Sequence, residues 1–90
     1  MMTFGEKLKK ARLASGLPVL EIAQRLGVTR EAVYQYEMNV STPALVSILR
    51  LERILGVRGG ELIRVSKHAG LALEVASVMN QKSEVEHATN

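Results

Sequence analysis

Apolar residues recur along the first sixty positions at spacings of three and four, the period of helices that bury one face. Phe4, Leu8 and either Ala11 or Arg12 mark a first stripe, which predicts a helix from about Phe4 to Ala14. Thr3 and Glu6 bracket its start at the capping-box spacing, and Ser15-Gly16 ends it. Pro18 suits the first turn of a second helix, with Val19, Ile22, Ala23 and Leu26 turned inward. Gly27-Val28 then makes a turn, and Thr29 caps a third helix that ends near Glu37, where Asn39 takes a left-handed conformation at low cost. Ser41-Thr42-Pro43 opens a fourth helix with Pro43 at its first position. Its buried face is Leu45, Ile48, Leu49, Leu51 or Glu52, and Leu55, and Gly56 stops it. Val57-Arg58-Gly59-Gly60 leads into a short fifth helix around Glu61 to Arg64.

The most informative stretch is residues 19–38. Ala23 stands four residues before Gly27, and Val33 six after it. A small side chain on the second helix lets the third cross it closely, and a glycine supplies turn geometry that a Cβ resists. Val33 closes the small core between the two. Short loops and five helices define an all-α bundle over residues 1–65. A further apolar stripe at Leu71, Ala72, Val75, Ala76, Val78 and Met79 predicts a C-terminal helix within 66–82, ahead of a polar tail at 83–90. That stripe either folds back on the bundle or pairs with a second subunit through Leu71, Ala72, Val75, Val78 and Met79. Pairing is the favoured reading, because an extra apolar face needs a partner surface.

Composition narrows the picture. Ninety residues allow one domain with a single modest core, and 47% hydrophobic content is enough to fold it. Aromatics are few, so the core is aliphatic. Without cysteine there is neither a disulfide nor a thiolate zinc site. His68 and His87 have no ligand partners at metal spacing, so no cofactor is expected. No nucleophile and base fall at catalytic spacing, and Gly59-Gly60 is too short for a phosphate loop, which argues against an enzyme. No apolar run reaches membrane-spanning length, and Lys7 to Arg12 interrupt any signal-peptide core, so a cytoplasmic protein is expected. Net charge is only +3, but residues 1–30 concentrate Lys7, Lys9, Lys10, Arg12, Arg25 and Arg30 against Glu6 and Glu21. This excess suits a polyanion, although a solvated helix face has the same composition.

Residues 4–63 resemble the lambda-repressor/Cro-like helix-turn-helix family, also called the xenobiotic-response-element family. The matching elements are Arg12, Gly16-Leu17, Ile22-Ala23, Leu26-Gly27-Val28-Thr29, Val33, Tyr36-Glu37, Pro43 and Leu55-Gly56-Val57 with Glu61-Leu62. The resemblance implies a transcriptional regulator, most simply a repressor, binding an inverted-repeat operator in double-stranded DNA as a homodimer. It implies that the helix 29–37 enters the major groove, with Thr29, Arg30, Glu31, Tyr34 and Gln35 at base edges. Arg30 has the chemistry for guanine, Gln35 for adenine and Glu31 for cytosine N4, while Ala32 fits a thymine methyl. Lys7, Lys10 and Arg50 are candidate phosphate contacts, as are the amide ends of the second and third helices. Arg12 and Glu37 occupy the positions of an internal ion pair in many members. Tyr36 is expected to pack inward, and Tyr34 to face solvent or DNA.

Two departures support a different reading. Pro18-Val19 stands where the family often has Ser/Thr-Gln, whose glutamine commonly contacts phosphate. Met38, Asn39 and Val40 follow Glu37 where mostly polar residues are usual. On this alternative the fold is a protein-interaction module, or an antitoxin with a toxin partner, and Val19, Leu20, Met38 and Val40 form its apolar docking surface.

Overall fold

The computed structural model describes residues 1–70. The stripe at Leu71, Ala72, Val75, Val78 and Met79 and the tail from 83 onward lie outside the described residues. Four α-helices, α1 (Phe4–Ser15), α2 (Val19–Leu26), α3 (Arg30–Glu37) and α4 (Leu45–Leu55), are followed by a 3₁₀ turn at Ile63–Val65. No strand occurs among the described residues. α1 and α2 each pack against both α3 and α4, and the 3₁₀ turn packs on α4.

Local chemistry explains most of the boundaries. Thr3 and Glu6 form the reciprocal capping box: the Thr3 hydroxyl accepts from the Glu6 N–H, and the Glu6 carboxylate accepts from the Thr3 N–H. Gly16, Gly27 and Gly56 close α1, α2 and α4 in left-handed conformations. Thr29 caps α3 by accepting from the Ala32 N–H at 3.1 Å. Asn39 is the one described non-glycine residue with positive φ, at 59°.

The core is a single cluster, aliphatic except for Phe4. Leu8, Ile22, Val33, Ile48, Leu51 and Leu62 are fully buried at its centre, with Phe4, Leu26, Leu55 and Ile63 around them. Ala23 is buried at the α2–α3 crossing, and the N–H groups of Gly27 and Val28 both donate to its carbonyl.

Three expectations change. α4 begins at Leu45 rather than Pro43. Pro43 is fully buried as a wedge before the helix, its carbonyl oxygen 3.2 Å from His68 Nε2, and the extended Ala44 takes the capping position. Leu49 is exposed, whereas Leu51 and Glu52 are both buried. The fifth helix is only a 3₁₀ turn, because Val65 and Ser66 donate three residues back, to Leu62 and Ile63. Glu52 anchors that turn. One of its carboxylate oxygens accepts from the Gly60 N–H at 3.0 Å, and the other from Leu62 at 2.9 Å and Ile63 at 3.3 Å. A buried carboxylate satisfied by three backbone donors replaces the apolar contact that period alone predicts at that position.

Candidate nucleic-acid interface

α3 is divided lengthwise. Val33 and Glu37 are buried, and Ala32 and Tyr36 are half-buried. At 3.6 residues per turn, Glu31, Tyr34, Gln35 and Met38 fall on one stripe along the opposite side, and all four are exposed. Arg30 flanks this stripe on the Glu37 side and is also exposed. Thr29 is exposed at the head of the helix, with its hydroxyl oxygen committed to the cap. The structure therefore places Glu31, Tyr34 and Gln35 on one outward stripe, with Arg30 at its edge and Thr29 at the head of the helix. Ala32 sits at the edge of the stripe, partly covered. Tyr34 is 45% exposed, while Tyr36 packs against the core.

The orientation of this surface is set from α1. Arg12 Nε donates to one Glu37 carboxylate oxygen at 2.6 Å and Nη2 to the other at 3.1 Å. Both side chains are largely withdrawn from solvent, at 15% and 5% exposure. The hydrogen bonds to Glu37 raise the Arg12 pKa, with burial opposing them. Below this pair the two backbones touch: a Cβ on Gly5 would collide with the carbonyl groups of Glu37 and Tyr36. The Gly5 N–H donates to Asn39 Oδ1 at 2.9 Å, and Asn39 Nδ2 donates to the Thr3 hydroxyl at 2.9 Å. Sequence reasoning missed Gly5, although a glycine in the first turn of a capped helix is a signal that a neighbouring backbone comes close.

Charge is distributed differently from the expected pattern. Lys7 and Lys10 lie on the flank of α1 that faces Val57, Glu61 and Leu62, not on the flank that meets the end of α3. Lys9 is the α1 lysine beside α3, sharing a hollow with Arg12, Tyr34, Glu37 and Met38. The helical period separates these lysines: Lys7 and Lys9 point roughly 160° apart around α1. Arg50 is exposed on α4. Arg25 is paired with Glu21 at 2.7 Å on the surface of α2. The start of α2, at Pro18, has no side-chain cap to occupy its first-turn amides.

The apolar surface proposed for protein docking is only partly present. Val19 is buried in the core and is removed from it, since its inward position on α2 wins over any outward role. Leu20, Met38 and Val40 are exposed, the last two at 64% and 68%. Among the described residues no cluster of His, Asp and Glu could hold a metal ion, and His68 instead faces the Pro43 carbonyl. No described helix is long and apolar enough to cross a membrane.

A helix-turn-helix family model matches residues 8–62. A prophage-derived, uncharacterized HTH-type transcriptional regulator of Bacillus subtilis is 37% identical over 71 residues, covering 79% of this chain and 65% of that protein. Proteins provisionally named as HTH-type transcriptional regulatory proteins are similar in two archaea. The one from Methanocaldococcus jannaschii is 38% identical over 53 residues, 59% of this chain and 17% of its own length. The one from Aeropyrum pernix is 33% identical over 58 residues, 64% of this chain and 17% of its own. The match thus spans just under two thirds of the bacterial relative and a small part of the archaeal ones. No solved structure matches the chain.

Proposed function

The chain belongs to the helix-turn-helix family, and from that premise we propose that it is a sequence-specific DNA-binding regulator of transcription. The observation that carries this reading is the lengthwise division of α3, whose buried side is locked to α1 and whose other side offers Glu31, Tyr34 and Gln35, with Arg30 beside them. In the proposed complex α3 lies in the major groove. Arg30 makes a two-point contact with guanine, Gln35 with adenine, and Glu31 accepts from a cytosine amino group. Thr29 and Tyr34 border these contacts at the head and middle of the helix. Lys9 and Arg50 take backbone phosphates, with the open amides at the start of α2 as further donors. Lys9 replaces Lys7 and Lys10 in that role because it stands beside Tyr34.

Regulation by repression follows from operator occupancy, and the chain acts as a homodimer on an inverted repeat. Two copies of α3 about 34 Å apart then read half-sites one DNA turn apart. The apolar pattern at Leu71, Ala72, Val75, Val78 and Met79 supplies the pairing surface in this proposal. Selection of bound sequences from a random duplex pool, with full-length protein at moderate salt, tests it. Enrichment of an inverted repeat supports the dimeric regulator. A folded protein that enriches nothing rules it out.

One observation favours a second reading. Met38 and Val40, directly after α3, expose apolar side chains where phosphate contacts would be useful, and Leu20 is exposed on α2. A protein partner, such as the toxin of an antitoxin pair, would cover them. Co-purification of a stoichiometric partner whose release follows Met38→Asp and Val40→Asp, with no selected DNA site, supports this reading over the first.

A further inference from the structure

A hollow of about 330 Å³ opens on the flank of α1 turned away from α3, lined by Lys7, Arg58, Glu61 and Arg64. Its size falls within the range of small-ligand sites, about 300–1,000 Å³. Three cations converge on it from two separate parts of the chain, α1 and the segment after α4. None of the three has a carboxylate at salt-bridge distance among the described residues, where the ion pairs are Arg12–Glu37 and Arg25–Glu21. The one acidic side chain in the lining is already engaged, since Glu61 Oε2 accepts from the Arg58 N–H at 3.2 Å. Glu61 offsets only one of the three positive charges, and an anion seated among them offsets the excess that remains.

A second hollow adjoins the first and shares Lys7 and Glu61 with it. It is mostly apolar, with Ala11, Ala14 and Val57 in its walls. Side by side they offer a cationic hollow and a mostly apolar one, the latter also lined by Lys10. From this juxtaposition we infer that the chain binds a small organic phosphate, its phosphoryl group held by Lys7, Arg58 and Arg64 and its apolar body over Ala11, Ala14 and Val57. Two guanidinium groups suit a phosphate, whose oxygens accept paired N–H donors. The site is independent of the proposed DNA reading, because Lys7 points away from the flank of α1 that carries Lys9 toward Tyr34.

The test is an amide NMR titration of the full chain with inorganic phosphate and then with phenyl phosphate, ionic strength being held constant with sodium chloride. The expected result is saturable shifts confined to Lys7 and residues 58–64, with phenyl phosphate also moving Ala11, Ala14 and Val57 and binding more tightly. Arg58 and Arg64 are both exposed, so the R58Q/R64Q double variant keeps the fold, which its own amide spectrum verifies. It weakens phenyl phosphate binding roughly tenfold or more, whereas K9Q leaves it unchanged. Shifts that fail to saturate, that spread over all basic residues, or that persist undiminished in R58Q/R64Q overturn the inference. So does a hollow that ignores phosphate while R58Q/R64Q lowers the salt dependence of DNA binding, since it would then hold duplex backbone.

Discussion

Arg12 and Glu37, twenty-five positions apart, meet in a two-point ion pair that fastens α1 to the end of α3. Glu37 is nearly covered and Arg12 keeps only a small part of its side chain in solvent, so neither charge is well hydrated. Removing one partner leaves the other charge buried and unmatched, a loss of a different kind from that of a surface pair. Arg12→Ala should lower unfolding free energy by about 2–4 kcal/mol in urea denaturation, somewhat below the full burial cost because Arg12 retains some solvent contact. The double variant Arg12→Leu/Glu37→Leu should recover part of that loss. A single variant within about 0.5 kcal/mol of the parent would mean that the pair is only superficial.

Gly5→Ala sets helix propensity against packing. Alanine is the better helix former by about 1 kcal/mol, yet its Cβ would meet the carbonyl groups of Glu37 and Tyr36. Those are backbone atoms on a packed helix and cannot swing aside. The expected outcome is net destabilisation by about 2 kcal/mol or more, with α3 displaced from α1. Thermal unfolding gives the sign directly, and a rise in midpoint would show that the two backbones are not in contact.

Glu52 holds three backbone N–H groups of the chain after α4. Glu52→Ala strands those donors in a buried site, at a cost of about 3 kcal/mol. Glu52→Gln keeps one acceptor oxygen and should fall between the two. Amide hydrogen exchange at Leu62 and Ile63 is the specific readout: it accelerates in the alanine variant more than exchange in α2 does.

On a selected DNA site, Gln35→Ala and Arg30→Ala should each cost about 1–3 kcal/mol and relax preference at one base pair. Lys9→Gln should instead weaken all sequences alike and reduce the salt slope by about one, whereas Lys7→Gln and Lys10→Gln leave the slope unchanged. Equal slopes for Lys9→Gln and the parent would separate Lys9 from the phosphate backbone.

Acid should loosen the start of α1. The Thr3 N–H, followed by the Thr3 hydroxyl, holds the Glu6 carboxyl below its ordinary value. A carboxyl depressed in the folded state contributes stability above its unfolded pKa and loses it as pH falls through the folded one. Glu6→Gln should therefore flatten the acid limb of the stability curve slightly and leave neutral-pH cooperativity intact. Unfolding midpoints at pH 3 to 7 check this, and parallel curves would disconnect Glu6 from the acid transition.

The sequence by itself determined the four α-helices of the described residues, because their causes are local. The threefold and fourfold spacing of Phe4 and Leu8, of Val19, Ile22 and Leu26, and of Ile48, Leu51 and Leu55 fixes a buried side, Thr3 and Thr29 cap, and Gly16, Gly27 and Gly56 terminate. The exposed set on α3 was legible for the same reason, since Val33 and Glu37 commit one side of an eight-residue helix and leave Tyr34 and Gln35 the other. What only the tertiary structure decided depends on groups distant in the chain. Period marks residues 51 and 52 as rivals for one inward place, yet both are buried, because the backbone N–H groups of Gly60, Leu62 and Ile63 come back to meet Glu52. Composition cannot rank Lys7, Lys9 and Lys10; the packing of α1 between α3 and the 57–62 segment does. Gly5 looks like a weak helix residue until the carbonyl groups of Tyr36 and Glu37 are placed against it. Periodicity records which way a side chain faces along its own helix, whereas only the assembled bundle determines what stands opposite.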